Sequence, residues 1–306
     1  MQVTQEKVSQ KGILEKVFKL SEHGTNVKTE VIAGLTTFMT MAYILAVNSN
    51  MLADAGMDAG AVFVATALSA TISCFVMAFL SNYPIALAPG MGLNAFFAYT
   101  VVLQMGYTWQ MALLGVFIEG VLFIILTVTS LREQIINCIP KDLKNAVTAG
   151  VGLFIASVGM TNAGIINTAN GTLALSSLHD PLVVLSVVGL VIAGILVCRN
   201  VRGALLLSIL LTSAIGMLTG IVTLPTKIVS LNVPSLAPTF MQAFSVPLEK
   251  IFSLDMVIVV FTFLFMDLFD TVGFLVGVAA KGELIDENGK IPKAKHALLA
   301  AASGTT

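Results

Sequence analysis

Residues 254–280 read LDMVIVVFTFLFMDLFDTVGFLVGVAA. From Met256 onward the run is almost wholly apolar and long enough to cross a bilayer. At about 1.5 Å per residue, roughly 20 residues span a hydrocarbon core of about 30 Å. Asp267 and Asp270 interrupt the run near its middle, and no Lys or Arg lies within it to pair with them. A carboxylate at mid-membrane costs about 2.5–3.5 kcal/mol on insertion scales. Three residues apart, the two project from one helix face, and that face cannot look at lipid. The pattern points to a polar cavity in which the carboxylates bind a ligand or carry a proton. The structural alternative is a buried Asp bonded to a hydroxyl or backbone group of a neighbouring helix.

The rest of the chain fits a membrane solvent. Of its 306 residues, 57% are hydrophobic and 11% charged, with a mean hydropathy of +0.94. Soluble domains carry about 25% charged residues, so a polytopic membrane protein is expected. The net charge of −1 offers no basic surface for nucleic acid. Cys74, Cys138 and Cys198 show no paired spacing and read as small apolar packing residues. No signal peptide is visible in residues 1–29. This polar segment carries Lys7, Lys11, Lys16, Lys19 and Lys28, and Ile13, Leu14, Val17 and Phe18 offer a short amphipathic turn for the membrane surface.

Hydropathy places spans at 31–51, 61–80, 83–105, 109–131, 146–166, 182–198, 204–224 and 256–280, with a ninth opening near His296. With the N-terminus inside, 14 of the 16 basic residues fall on the inner side, and only Lys227 and Lys250 lie outside. That asymmetry is the signature of a cytoplasmic N-terminus. Asn170-Gly-Thr172 is a sequon in an outer loop, and Pro234, Pro238 and Pro247 suggest an ordered outer cap.

Span three, YPIALAPGMGLNAFFAYTVVLQM, carries Pro84, Pro89, Gly90 and Gly92 in its first half. Proline disrupts a helix and glycine weakens it. Residues 85–88 are expected to be extended, and a helix to restart near Gly90 or Gly92 with Asn94 in its first turn. Unwound backbone at membrane depth is tolerated only where it is buried in protein or lines a cavity. The restarted helix would aim free N–H groups and a partial positive charge inward, suiting a carbonyl oxygen or ring-nitrogen lone pair. A kink used only for close packing is the alternative. Glu119, in LGVFIEGVLF, is a lone mid-membrane carboxylate that relays protons or bonds a neighbouring helix. Thr36, Thr37, Thr40 and Tyr43 are expected to bond across helices, and Gly150, Gly152, Gly159, Gly194 and Gly216 to permit close packing.

No phosphate-binding G-x-x-x-x-G-K-[ST] loop occurs. His23, His179 and His296 fall at or beyond the membrane edge, away from Cys and Glu, so no metal site is expected. Two classes remain: a secondary transporter, or an intramembrane aspartyl hydrolase using Asp267 and Asp270. The second fits poorly, because side chains three apart diverge, and because it leaves the broken span unexplained.

Three stretches carry a family resemblance: EHGTNVKTEVIAGLTTFMTMAYILAVN at 22–48, ALAPGMGLNAFFAYTVV at 86–102 and MDLFDTVGFLVGVA at 266–279. Together they resemble the nucleobase–cation symporter 2 (nucleobase–ascorbate transporter) superfamily, specifically its AzgA-like adenine/guanine/hypoxanthine permeases. The resemblance implies an all-α polytopic fold of fourteen spans in two inverted seven-span repeats. It implies 1–29 as a cytoplasmic segment, 30–131 as core spans 1–4, 132–224 as gate spans 5–7, 225–253 as an extracellular loop, and 254–306 as span 8, a cytoplasmic loop and the start of span 9. Spans 3 and 10 would each contain a short strand flanking the site.

By position, Asp270 looks like the carboxylate that holds the base's ring N–H, with Asp267 its companion acid and Asn94 the span-three polar group beside the base. Gly92 and Ala88 belong to the same substrate-binding set. Phe274 stands where uracil carriers have a histidine. Asp267, Asp270 and Glu119 are the implied proton-coupling groups. The implied function is symport of a purine base with H⁺, without a cofactor or metal, in the cell membrane. A carrier of xanthine, urate or uracil is the alternative within the superfamily. The expected partners are the purine base, the lipid bilayer and a second copy in a homodimer, with no nucleic acid. Residues 293–306 look like the opening of span nine, where a family member continues to span fourteen, and Ala301 stands where an acid is expected. The chain therefore reads as C-terminally truncated, lacking the span-ten half of the site, and is expected not to transport alone.

The 14-to-2 split of basic residues yields a topology test. Cysteines introduced as Gln10→Cys and Asn288→Cys are expected to resist impermeant thiol reagents in whole cells and to label after permeabilisation. Ready labelling of either in intact cells would overturn the orientation.

Overall fold

The computed structural model describes residues 13–129, 141–167, 174–177, 179–223, 232–246, 253–281 and 293–306. Cys138, the Asn170 sequon, Lys227, Pro247 and Lys250 lie outside the described residues, and so does the side chain of Phe274. The fold is helical. Helix α1 (Ile13–Phe18) precedes α2 (Val27–Met41) and α3 (Tyr43–Asp54), which run on from one another with a break at Ala42. Helix α4 (Ala59–Leu80) follows. Helix α5 (Met91–Ala95) passes directly into a π-helical stretch, Phe96–Gln104. Then come α6 (Trp109–Val128), α7 (Lys141–Asn162), α8 (Pro181–Cys198) and α9 (Ala204–Leu218), and finally α10 (Leu254–Lys281) and α11 (Ala294–Thr305). Strands β1 (Ile166–Asn167) and β2 (Ala174–Leu175) pair antiparallel between α7 and α8.

Among the described residues, four helical runs are long and apolar enough to span a bilayer: Val27–Asp54, Ala59–Leu80, Trp109–Val128 and Pro181–Cys198. Helix α10, at 28 residues, reaches about 42 Å at 1.5 Å per residue. Large apolar side chains such as Ile72, Leu190 and Leu210 stand exposed, an arrangement that lipid rather than water stabilises.

The core sits where α10 crosses α6 and the restarted span three. Met256, Val259 and Phe263 of α10 meet Met111 and Leu114 of α6 and Phe97, Ala98 and Val101 of the π-helical stretch. The Phe96 and Phe263 rings pack edge to face, 5.4 Å between centroids. Helix α11 wedges between α4 and α6. Ala297, Leu298 and Ala300 meet Met77 and Ile85, and Ala302 meets Phe123 and Leu268. Ser69 donates to the Gly304 carbonyl at 3.2 Å. At the start of α11, Lys295 Nζ donates to the Val128 carbonyl at 2.8 Å. A cation at the C-terminal end of α6 both satisfies an orphan carbonyl and opposes the helix dipole.

Several expectations need correction. The hydroxyls of Thr36, Thr37 and Thr40 donate to Ile32, Ala33 and Thr37 carbonyls of their own helix, not across helices. Such back-bonding often bends helices, and these three threonines precede the break at Ala42. Of the five glycines expected to permit close packing, only Gly216 does, with Leu185 and Val222 each 2.8 Å from where a Cβ would stand. Among the described residues, a Cβ on Gly150, Gly152, Gly159 or Gly194 would meet nothing within 4 Å. The close approach between α8 and α9 also uses Gly189, against Thr212 at 2.8 Å.

Residues 82–90 take no regular structure, so the short strand expected in span three is not formed. A strand needs a partner edge, and the one sheet among the described residues, β1 with β2, does not include this segment. Cys74 serves the segment instead. Its Sγ accepts from Leu87 N–H at 3.2 Å and donates to the Leu87 carbonyl at 3.4 Å. The cysteine is thus a backbone partner as well as a packing residue.

Removing that partner has a measurable consequence. Cys74→Ala is expected to speed amide exchange across residues 85–88 by up to about tenfold, since a net hydrogen bond is worth about 0.5–1.5 kcal/mol. Cys74→Ser, which keeps a donor and an acceptor, is expected to restore most of the protection. Equal exchange in all three proteins by hydrogen–deuterium mass spectrometry would remove Cys74 from this role.

Candidate functional site

The candidate site forms where the break in span three meets the middle of α10. Gly90 is the residue before the helix, with extended backbone (φ −73°, ψ 117°) and no side chain to cap the turn that follows. The first helical bond runs from Asn94 N–H to the Gly90 carbonyl at 3.1 Å. The N–H groups of the first turn have no intrahelical acceptor. Pro89 cannot continue a helix through this point, and that is why the restart falls here.

Asp270 comes from α10 to the same turn. A Cβ placed on Gly92 would stand 3.4 Å from Asp270 Oδ2, and one on Gly90 3.7 Å. Any larger residue at Gly92 would occupy the space between this carboxylate and the helix start. The structure therefore brings Asp270, Gly92 and Asn94 into one region, with Ala88 half-buried in the unwound segment leading into it.

Asp267 goes elsewhere. Its Oδ1 accepts from Thr271 Oγ1 at 3.0 Å and its Oδ2 from Thr305 Oγ1 of α11 at 3.2 Å. Asp267 thus has hydroxyl partners of its own on α10 and α11, while Asp270 faces the break in span three. Glu119 is fully buried in α6, next to Gly120, over which Thr306 of α11 packs.

Asn94 is anchored by residues that sequence reading did not select. Its Nδ2 donates to Asn48 Oδ1 of α3 at 2.5 Å, and Asn48 Nδ2 donates to Thr66 Oγ1 of α4 at 2.8 Å. Asn48 and Thr66 are both buried. An Asn within the apolar run YILAVNSNM is a detectable signal, since an intramembrane amide must find partners, but its partner is 46 residues away. Further along the same helical segment, Tyr99 Oη donates to Asp54 Oδ2 at 2.8 Å and accepts from Asn162 Nδ2 of α7 at 2.6 Å. No pattern in the sequence marks these three as neighbours. Among the described residues, no group of three His, Cys, Asp or Glu side chains comes together to hold a metal.

Comparison with known proteins identifies the family of the chain. A family model described as a permease family matches residues 28–306. The guanine/hypoxanthine permease PbuG of Bacillus subtilis is 48% identical over 300 residues, covering 95% of this chain and 68% of that protein. The adenine permease AdeP of Escherichia coli is 43% identical over 292 residues, covering 95% of this chain and 64% of its own length. The guanine/hypoxanthine permease PbuO of Bacillus subtilis is 43% identical over 298 residues, covering 95% and 67%. The chain spans about two thirds of the length of the curated relatives it matches. All three are transport proteins rather than enzymes.

The buried amide chain predicts a stability effect. Asn48→Leu leaves the Asn94 amide without its acceptor, and a buried polar group stranded this way costs about 1–3 kcal/mol. The detergent-solubilised protein is expected to melt several degrees lower. Thr66→Val, which leaves the Asn48–Asn94 bond in place, is expected to cost less. Equal melting temperatures in a thermal-shift assay for Asn48→Leu and the parent would discount the chain.

Proposed function

Because the chain belongs to the permease family, we propose that the complete protein is a secondary transporter that imports purine nucleobases such as adenine, guanine or hypoxanthine by proton symport. The single observation that carries this reading is the meeting of Asp270 with the uncapped helix start at Gly90 and Gly92. A purine presents N–H donors beside lone-pair acceptors. Asp270 is assigned to accept the ring N–H. The first-turn N–H groups are assigned to the acceptor edge, and the Asn94 amide, held by Asn48, lies beside them with a carbonyl still available. The unwound backbone around Ala88 lines the same space.

Proton coupling is assigned to carboxylates that exchange a proton as the site opens to either side. Asp270 does so in contact with the base. Asp267, held by Thr271 and Thr305, is assigned the step that couples α10 to α11, and Glu119 a buried relay in α6. Phe274 is kept as the residue that distinguishes a purine from a uracil carrier. The larger frame is the one the resemblance implies: fourteen spans in two inverted repeats, with 30–131 and 254–306 in the core, 132–224 in the gate, and alternating access by rocking of one against the other. A cytoplasmic N-terminus is supported by the basic-residue asymmetry and by the Lys295–Val128 bond, which puts the end of span four and the start of span nine on one side. A homodimer is the proposed assembly.

The test is Asp270→Asn in the complete protein, which keeps the volume and one carbonyl but removes the charge. A hydrogen bond to an ionised group is worth about 1.5–3 kcal/mol against about 0.5–1.5 for a neutral one, and about 1.4 kcal/mol is tenfold in affinity. Base affinity is expected to fall roughly tenfold, and proton-driven accumulation in proteoliposomes to disappear. A packing Asp would lower the yield of folded protein and leave affinity unchanged. Unchanged affinity with intact pH-driven uptake would remove Asp270 from both the site and the proton path.

A further inference from the structure

Helix α7 is held to the restarted span three at two places. The first is apolar. A Cβ on Gly92 would lie 2.7 Å from Val151 Cγ1 and 3.9 Å from Ile155 Cδ1, so no gap separates the two helices at the turn that Asp270 faces. The second is polar and lies at the end of α7. Asn162, its last residue, donates from Nδ2 to Tyr99 Oη at 2.6 Å, and Tyr99 Oη donates to Asp54 Oδ2 at 2.8 Å. Val151, Ile155 and Asn162 follow one another at spacings of four and seven, which places them on one face of the helix. Off this face, among the described residues, a Cβ on Gly152 or Gly159 would meet nothing within 4 Å.

The direction of both polar bonds is fixed by chemistry. An ionised carboxylate only accepts, so the phenol hydrogen goes to Asp54, and the phenol oxygen is left to accept from the Asn162 amide. Asp54 is the last residue of α3, and Tyr99 lies in the π-helical stretch, a winding that is rare and recurs at functional sites. Three spans thus meet in one chain of hydrogen bonds. Asp54 and Asn162 are exposed and Tyr99 is half-buried, so water replaces a lost partner. The bond opens without stranding a buried polar group, whose cost would otherwise hold it shut. Packing of Val151 on Gly92 tolerates small sliding, whereas the Asn162–Tyr99 bond is directional and breaks when the end of α7 shifts.

We propose that Asn162, Tyr99 and Asp54 form a latch that holds α7 down on the Gly92 turn, and that the latch opens for a base to enter or leave that turn. This rests on the reading of Asp270 and Gly92 as the base site: with Val151 seated on Gly92, α7 has to withdraw before anything reaches the turn from its side.

The experiment uses the complete protein. Val151→Cys is the reporter, labelled by a maleimide in detergent and quantified by peptide mass spectrometry, with the native Cys74 of α4 as internal control. Tyr99→Phe and Asn162→Ala are each expected to speed labelling of the reporter about two- to tenfold, the population shift that loss of one hydrogen bond gives, and to leave Cys74 unchanged. Asp54→Asn, which keeps an acceptor for the phenol, is expected to fall between these variants and the parent. The double variant is expected to label no faster than Tyr99→Phe alone, because both changes cut one chain. Equal reporter labelling in all variants, or a rise matched at Cys74, would overturn the latch.

The second arm asks whether the latch has to open. Tyr99→Cys with Asn162→Cys, bridged by a short bifunctional methanethiosulfonate in proteoliposomes, is expected to stop uptake of labelled hypoxanthine, and reductant to restore it. Each single-cysteine variant, treated alike, is expected to keep its uptake. Unchanged uptake by the bridged protein would overturn the opening step. Failure of the unmodified protein to take up hypoxanthine would sink the import reading alone, and the labelling ratios, which need no substrate, would still decide the latch.

Discussion

Backbone amides out of reach of water must find partners inside the protein, and this requirement organises the molecule around residues 82–90. A membrane span is ordinarily free of the problem because a helix satisfies itself. Pro84 and Pro89 forbid that solution in the first half of span three. The consequences spread to neighbouring elements. Cys74 on α4 turns its sulfur to Leu87, α11 buries Ile85, and the restart at Met91 leaves a turn of donors without intrahelical acceptors beside Asp270. The unusual chemistry of the region and its unusual backbone have one cause.

Much of this was legible in the sequence because it depends on local rules. Proline and glycine mark where a helix stops and starts, and the restart after Gly90 was read from them alone. Hydropathy marks the apolar runs, four of which are described helices long enough to cross a bilayer, and charge cost singles out Asp270 as a group that must avoid lipid. What local rules do not contain is the partner. The Asn48–Asn94 bond joins residues 46 apart; each is visible as an intramembrane amide, but not the pairing. The glycines of α7 were misread for a related reason: a missing side chain permits close approach but does not supply the neighbour. Gly92, read as a helix weakener and as part of the binding set, also carries a close helix approach, to Val151 at 2.7 Å. The threonines of α2 show the converse, since a hydroxyl with no partner in reach returns to its own helix.

The divergence of Asp267 and Asp270 also has a local cause and a distant meaning. Side chains three apart on a helix are neighbours, but they lean to different adjoining helices when those lie on either side. Here α11 takes one through Thr305 and α5 faces the other. One helix face thereby connects the helix start at Gly92 to the α10–α11 seam within a single turn. Movement of α11 relative to α10 would be felt at Asp267 first.

The placement of α11 bears on how the protein is made. Its residues fill a groove between α4 and α6, and Lys295 closes onto a carbonyl 167 residues earlier. A ribosome adding about 5–20 residues per second completes that interval in roughly 10–30 s. During that time the Ser69 and Ser73 face of α4 has no helix of its own chain to lie against. Those two positions are small and polar, and their hydroxyls donate to Gly304 and to the Ser69 carbonyl. A face of this kind offers little to the hydrophobic contacts that draw nascent segments into wrong pairings, and stays open until α11 is made.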